Sequence, residues 1–166
     1  GRPHYLFERA HAMPGRNLVG LECKQRWVDA AIRRQQRSGP TNVLACLGDA
    51  WALFPALFDD GAVAGVHLNF PDPWWKKRHG KRRLVDASFV DDLASRLAPG
   101  GFVFVQTDVH DLLAEILGLL EANSAFDNPA GAGQCCLENG MAARSHREKK
   151  CIALGIPVFR AGVTRL

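Results

Sequence analysis

The sequence predicts an α/β fold, a doubly wound and mostly parallel sheet of the Rossmann-like type. Short apolar runs alternate with stretches of helical length along the 166 residues. In these runs apolar and polar residues do not alternate, as they would in a strand with one solvent-exposed face. We therefore expect strands that are buried on both faces. A composition of 47% hydrophobic and 23% charged residues suits one globular domain with a buried core. Alternating strands and helices are typical of crossover connections between parallel strands.

The apolar runs predict four short strands, at residues 18–22, 43–47, 63–70 and 102–107. Helices are predicted at 5–12, 24–36, 50–58, 86–97 and 109–122. The last helix carries an apolar stripe at helical spacing, formed by Leu112, Leu113, Ile116, Leu119 and Leu120. Pro99-Gly100-Gly101 predicts a turn between the fourth helix and the next strand. Two further strands are expected at 150–154 and 157–161, around Gly155, and a long loop at 123–143.

The chain begins in an unusual way for this fold class. Gly1-Arg2-Pro3 leads directly into a helix. A nucleotide-binding α/β domain opens with a strand and a glycine-rich turn, because glycine lets the backbone approach the ligand closely. We therefore expect residues 1–166 to form a single domain that is N-terminally incomplete and lacks its first strand.

The positive charge of the chain is concentrated in one segment. The formal net charge is +4, and six of the eight residues from 76 to 83 are Lys or Arg. A run of like charge is often only a solvated face. Phosphate neutralisation explains this run better, because the segment directly follows a candidate site loop. Such contacts position a nucleic acid and do not read its bases.

No apolar run approaches the roughly 18 residues of a membrane span, so we expect no membrane contact and a cytoplasmic location. The five cysteines form no C-x-x-C pair. Reduced thiols are therefore expected, with neither a disulfide framework nor a metal site.

Four carboxylates follow the predicted strands, one at the end of each: Glu22, Asp49, Asp72 and Asp108. Ligands of open α/β sheets bind at the carboxyl ends of the strands. A single acid there is often a helix cap or a solvated loop residue. Four in succession predict a ligand site at this edge.

One of these acids lies in the segment Asn69-Phe70-Pro71-Asp72-Pro73-Trp74-Trp75. The two prolines restrict the backbone on both sides of Asp72 and predict a stiff loop. Two interpretations of Trp74 and Trp75 stay open. They pack under the next helix, or they form a flat surface for a planar base.

The string FPDPWWKKRHGKRR, preceded by GLE at one strand end and by GDA, resembles the bacterial tRNA (guanine-N7-)-methyltransferase family. The similarity covers essentially the whole chain. It implies a class I fold that uses S-adenosylmethionine and transfers its methyl group to N7 of a guanine in tRNA. The family target is position 46 in the variable loop. The resemblance leaves a monomer or a homodimer open.

The resemblance also implies roles for individual residues. Glu22 would hold the cofactor ribose, Asp49 would lie beside its adenine, and Asp72 would border both cofactor and target base as the active-site acid. The cofactor site would further include Gly1 and Ala50. Substrate contacts are implied for Lys76, Asp108, Ser145, His146, Arg147 and Glu148, and RNA contacts for Arg78, His79, Gly80, Lys81, Arg82 and Arg83.

Three departures from the family pattern stand out. Only Gly1 remains of the glycine-rich turn, and Pro3 occupies the place of another glycine. Ser145 replaces a threonine in the T-x-x-E segment. The loop at 123–143 matches no family pattern.

The chemistry fits the absence of an evident general base. Guanine N7 has an in-plane lone pair and no proton, so catalysis depends on orientation and on charge near the purine. Asp72 would supply that charge, and Asp108 or Glu148 would accept from guanine N1–H and N2–H₂.

Two other functions compete with this interpretation. An amino-group methyltransferase would need an N/D-P-P-Y/F/W loop, whose spacing Asn69–Asp72 does not keep. A non-catalytic RNA-binding subunit would need no cofactor. Binding of S-adenosylmethionine separates it from an enzyme.

Overall fold

The computed structural model describes residues 2–72, 85–136 and 138–166. Within these residues helices and strands alternate along most of the chain. Their order is α1 His4–Ala12, β1 Leu18–Glu22, α2 Gln25–Ser38, β2 Val43–Leu47, α3 Ala50–Leu57, β3 Val63–Asn69, α4 Ala87–Arg96, β4 Leu97–Thr107, α5 His110–Glu121, β5 Phe126–Asp127, α6 His146–Ala153 and β6 Phe159–Arg165.

The strands form two groups. β1 and β2 are parallel, with Leu18 opposite Val43 and Glu22 opposite Leu47. The other group has the order β3-β4-β6-β5, in which β3 and β4 are parallel and β6 is antiparallel to both neighbours. The predicted α/β fold with a mostly parallel arrangement of its first four strands is confirmed, and β6 makes the sheet mixed.

A cavity lies between the two groups of strands. Among the described residues, β1 pairs only with β2, and β3 pairs only with β4. Residues of both β1 and β3 line one cavity of about 1950 Å³. The free edges of two parallel pairs therefore face a common space.

Helices cover both faces of the strands. On one face, Phe7 of α1 and Ala31 of α2 pack with Val43 of β2. On the other, α3, α4 and α5 form the larger core, in which Phe89, Leu93, Leu113 and Leu120 are almost fully buried. Four residues of the predicted stripe on α5 are buried, and Leu119 packs partly buried at its edge. Because each apolar helix face meets one face of the strands, the doubly wound prediction holds.

The strand predicted at 150–154 is wrong. These residues mostly belong to α6, which begins at His146. The Ser145 side chain accepts from Glu148 N, and the Glu148 side chain accepts from Ser145 N. This capping box fixes the start of a helix, and the helix then continues through the short apolar run. The second of the two strands exists, but β6 runs from Phe159 to Arg165.

The predicted turn at Pro99-Gly100-Gly101 is also corrected. α4 ends at Arg96, and β4 begins at Leu97, before the glycines. Leu97 pairs with Val63 and Phe102 with Gly65, so the intervening residues form a bulge. Gly100 has φ +74°, which glycine adopts without steric cost.

The loop predicted at 123–143 also contains β5, and the backbone of Cys136 forms an isolated antiparallel β-bridge with that of Arg160.

Among the helices that the structure describes, none has the length and apolar character that crossing a membrane requires.

Candidate functional site

The structure brings the four predicted strand-end acids to one cavity. Glu22 is the last residue of β1, and Asp49 follows β2 by two residues. Asp72 follows β3, and Asp108 follows β4 directly. All four side chains line the cavity between β1 and β3. The sheet edge at which the sequence predicted a ligand therefore borders a cavity, and the four acids line it.

Two of the acids are held by backbone donors. Lys24 N donates to Glu22 Oε1 at 2.8 Å, in the turn that follows β1. Asp49 is the N-cap of α3 and accepts from Trp51 N at 3.1 Å. Asp49 thus satisfies a free backbone N–H of the first helical turn, where Ala50 begins the helix. Both carboxylates are oriented before any ligand binds.

The path of the chain into Asp72 is strained. Phe70 has φ +52°, an uncommon conformation for a bulky residue. Its N–H donates to Gln106 O at 2.7 Å, which keeps Phe70 against the end of β4. Gln106 is fully buried and its side chain donates to Asn69 Oδ1 at 2.6 Å. These contacts turn the chain out of β3 and leave Asp72 exposed on the cavity wall.

Asp108 is joined to the predicted guanine-binding segment. Its carboxylate accepts from Arg147 in an ion pair, with the Asp108 side chain 18% exposed and that of Arg147 47% exposed. The hydrogen bond from Arg147 to Asp108 is the main cause that raises the pKa of Arg147. β4 and α6 are thereby linked at the cavity, which Ser145, His146 and Arg147 also line.

Glu148 has a different environment from its neighbours. It is fully buried, and its carboxylate accepts from Ser145 N at 3.2 Å, Asn139 Nδ2 at 2.8 Å and Arg160 at 3.0 Å. Its charge is thus compensated inside the fold. The side chains of His146 and Arg147 are exposed instead.

Helix α1 supports this segment from the other side. Glu8 accepts from Arg144 N at 3.0 Å and from Lys149 Nζ at 2.5 Å. Arg2, which follows the predicted cofactor turn, hydrogen-bonds to His146 Nε2 at 3.1 Å. Arg2 and α1 therefore contact the segment from Arg144 to Lys149.

His67 lies within β3, as its position in an apolar run predicted. Tyr5 OH and His67 Nδ1 are 2.9 Å apart, and the Phe102 and Phe104 rings contact the imidazole edge-on. Burial, with a smaller contribution from Arg9, lowers the pKa of His67 to about 4. Burial raises the pKa of Tyr5 to about 12. Both groups are neutral near pH 7, so Tyr5 donates and His67 accepts.

Two further cavity residues were not predicted. Trp51, 42% exposed, lines the cavity next to Asp49, and its Nε1 donates to Asp86 at 3.4 Å. Asp86 also caps α4 by accepting from Phe89 N at 2.9 Å. A tryptophan directly after Asp49-Ala50 was the available sequence signal. Its contact with Asp86 joins residues 35 positions apart, which local patterns do not reveal.

Several predicted residues lie outside the described part of the chain. They are Gly1, Trp74, Trp75, Lys76, Arg78, His79, Gly80, Lys81, Arg82 and Arg83. Their predicted roles stay predictions.

Solved methyltransferases share this fold. The aminoglycoside resistance methyltransferase NpmB1 superposes with a TM-score of 0.65 at 15% identity, covering 100% of this chain and 84% of that one. This likeness shows that the chain has the Rossmann-like α/β fold of these methyltransferases, with helices on both faces of the sheet.

Sequence relatives specify the family. A family model described as "Putative methyltransferase" matches residues 1–161. The tRNA (guanine-N(7)-)-methyltransferase of Myxococcus xanthus is 33% identical over 97% of this chain and 78% of its own length. That of Anaeromyxobacter dehalogenans is 40% identical over 91% of this chain and 75% of its own. The chain belongs to the tRNA (guanine-N(7)-)-methyltransferase family, and the resemblance found in the sequence is confirmed.

Proposed function

We propose that this chain transfers the methyl group of S-adenosylmethionine to N7 of a guanine in tRNA, at position 46 of the variable loop. The observation that carries the proposal is the convergence of Glu22, Asp49, Asp72 and Asp108 on one cavity. All four acids belong to one chain, so the site would be the same in a monomer and in a homodimer. We further propose that residues 1–166 act as a single methyltransferase domain in the cytoplasm.

The hydrogen-bond acceptors that line the cavity fit the cofactor. Carboxylates accept from ribose hydroxyls and from an adenine amino group, and Glu22 and Asp49 are oriented for this by backbone donors. The cavity runs along the whole of β1 and β3, and the four acids lie where these strands and their neighbours end. When bound, S-adenosylmethionine supplies an electrophilic methyl group on a sulfonium sulfur.

Asp72 is the proposed active-site acid. Guanine N7 attacks through a lone pair that carries no proton, so the chain has to provide orientation and not a general base. Positive charge builds on the purine during transfer, and a fixed carboxylate at the cavity wall stabilises it. The contacts around Phe70 fix the backbone that leads to Asp72, which reduces reorganisation during the reaction.

Asp108 is the proposed acceptor for the Watson–Crick edge of guanine. It lines the cavity with its side chain partly exposed, whereas Glu148 is buried and already accepts three kinds of donor. We therefore propose that Glu148 orders the segment from Ser145 to Arg147, and that Arg147 keeps Asp108 oriented. Residues 76–83 would contact phosphates beside the target.

The decisive experiment is nucleoside analysis of tRNA after incubation with the full-length protein and labelled S-adenosylmethionine. We expect 7-methylguanosine from the wild type and a loss of at least about 100-fold in rate for Asp72→Asn, by analogy with other electrostatic stabilisers. Labelled product other than 7-methylguanosine would contradict the proposal. If the protein failed to bind S-adenosylmethionine, an RNA-binding subunit would replace the enzyme.

A further inference from the structure

One face of α2 carries three arginines at helical spacing. Arg26, Arg33 and Arg37 stand at positions i, i+7 and i+11, and all three are exposed. At 1.5 Å per residue they form a stripe about 16 Å long. We call these three residues the α2 stripe. The opposite face of the helix is buried through Val28 and Ala31.

The α2 stripe differs from four other cations in the described ranges. Arg96, Arg147, Lys149 and Arg160 each form an ion pair, with Asp60, Asp108, Glu8 and Glu148 respectively. Within the same ranges no acid pairs with a member of the stripe. The one acid of α2, Asp29, accepts from Gln25. Three cations without an ion pair therefore stand in one row on this helix, and their mutual repulsion decreases when an anionic partner binds.

The helix also starts at the candidate site. Lys24 and Trp27, at the beginning of α2, line the same cavity as Asp72. Arg26 stacks on Trp27, with its guanidinium carbon 4.8 Å from the ring centroid. The stripe thus begins beside the cavity and leads away from it along the face that α1 and α2 cover. A large substrate with one base in the cavity would extend along this row.

We propose that the α2 stripe is a second contact surface for the phosphate backbone of tRNA, separate from residues 76–83. The inference rests on the proposed function for the identity of the nucleic acid. Exposed guanidinium groups bind phosphate oxygens and release condensed counterions, which gives affinity without base specificity. The stripe positions the tRNA, while the cavity selects the guanine.

The test compares tRNA binding by the wild type and by Arg26→Gln/Arg33→Gln/Arg37→Gln in the full-length protein, over a range of salt concentrations. Each lost phosphate contact lowers the slope of log K against log[salt] by about 0.7–0.9, so the triple variant should lose about 2–3. The KM for tRNA should rise, whereas kcat at saturating tRNA and binding of S-adenosylhomocysteine should stay unchanged.

Two controls make the result specific. Arg96→Gln removes a last-turn arginine from α4, as Arg37→Gln does from α2, but on the opposite face of the sheet. It should leave the slope unchanged. The triple lysine variant keeps the charge and should bind as the wild type does, even if the glutamine variant is less stable.

An unchanged salt slope in the glutamine variant, or an equal loss of slope in Arg96→Gln, would contradict the proposal that the α2 stripe binds tRNA. The binding slope is measured without turnover. A wild type that binds tRNA but forms no 7-methylguanosine would therefore contradict the proposed function alone.

Discussion

Arg147 donates to the carboxylate of Asp108, and this ion pair joins the end of β4 to the first turn of α6. The two residues are 39 positions apart in the chain and meet at the cavity wall. Both were predicted to bind the guanosine from their resemblance to family positions. The ion pair adds a physical relationship, because one residue orients the other before substrate binds.

The first prediction concerns this pair. Asp108→Asn keeps the size of the side chain but removes the charge that pairs with Arg147 and that we propose for the guanine donors. A hydrogen bond to a charged group contributes about 1.5–3 kcal/mol, so kcat/KM for tRNA should fall about 10- to 150-fold. Arg147→Gln should have a smaller effect, since Asp108 remains. Steady-state kinetics and a double-mutant cycle measure both, and an Asp108→Asn effect confined to cofactor affinity would contradict the assignment.

The second prediction concerns Glu148. Its removal leaves Arg160 and the Ser145 N–H without their buried acceptor, so Glu148→Ala should lower the free energy of unfolding by about 3–5 kcal/mol. Ser145→Ala removes only the cap and should cost about 0.5–2 kcal/mol. Urea denaturation measures both losses. A Glu148→Gln variant of wild-type stability that cannot methylate tRNA would favour direct contact with the guanine.

The strands and the acids at their ends were predictable because both depend on local sequence. A strand buried on both faces is a continuous apolar run, and the residue after it lies at the ligand edge in any parallel sheet. Glu22 and Asp49 could therefore be assigned to that edge without knowledge of long-range contacts. No such rule assigns Trp51, which follows Asp49 by two residues and also lines the cavity.

The errors have an equally physical origin. Residues 150–154 are too few for strand and helix periods to be distinguished, and the capping box that decides the matter begins five residues earlier, at Ser145. The burial of Glu148 depends on Arg160 and Asn139, which approach only when β6 and the preceding loop fold together. Similarly, Glu8 meets Lys149 across 141 positions of sequence. Such contacts are properties of the tertiary structure and not of a motif.

The third prediction separates the observed role of Asp49 as a helix cap from its proposed role as a cofactor ligand. Asparagine caps a helix as well as aspartate does, so Asp49→Asn should keep the free energy of unfolding, whereas Asp49→Ala should lose about 0.5–2 kcal/mol. Both variants lack the carboxylate and should bind S-adenosylhomocysteine about 10- to 100-fold more weakly. Calorimetric titration measures the affinity.

The control for Asp49 is Asp86, which caps α4 and lines the same cavity. Asp86→Ala should lower stability by a similar amount, with a smaller loss of affinity. Wild-type affinity in Asp49→Asn would show that the carboxylate only caps α3.

The last prediction concerns the pH dependence that His67 gives to stability. Its pKa is lowered from 6.5 to about 4 in the folded protein, mainly by burial. Above about pH 6.5 the imidazole is neutral in both states and adds no pH dependence. Between pH 6.5 and 4 the unfolded chain binds a proton that the folded chain does not. Stability therefore falls as pH falls through this window, by up to about 3 kcal/mol.

His67→Gln removes the titration and keeps an acceptor for the Tyr5 hydroxyl. The difference in unfolding free energy between wild type and variant should change across pH 6.5 to 4 and level off on either side. Tyr5→Phe removes the hydrogen bond but leaves a buried imidazole, so it should retain the pH slope of the wild type. Identical pH profiles for wild type and His67→Gln, measured by urea denaturation, would show that the imidazole is protonated without cost in the fold.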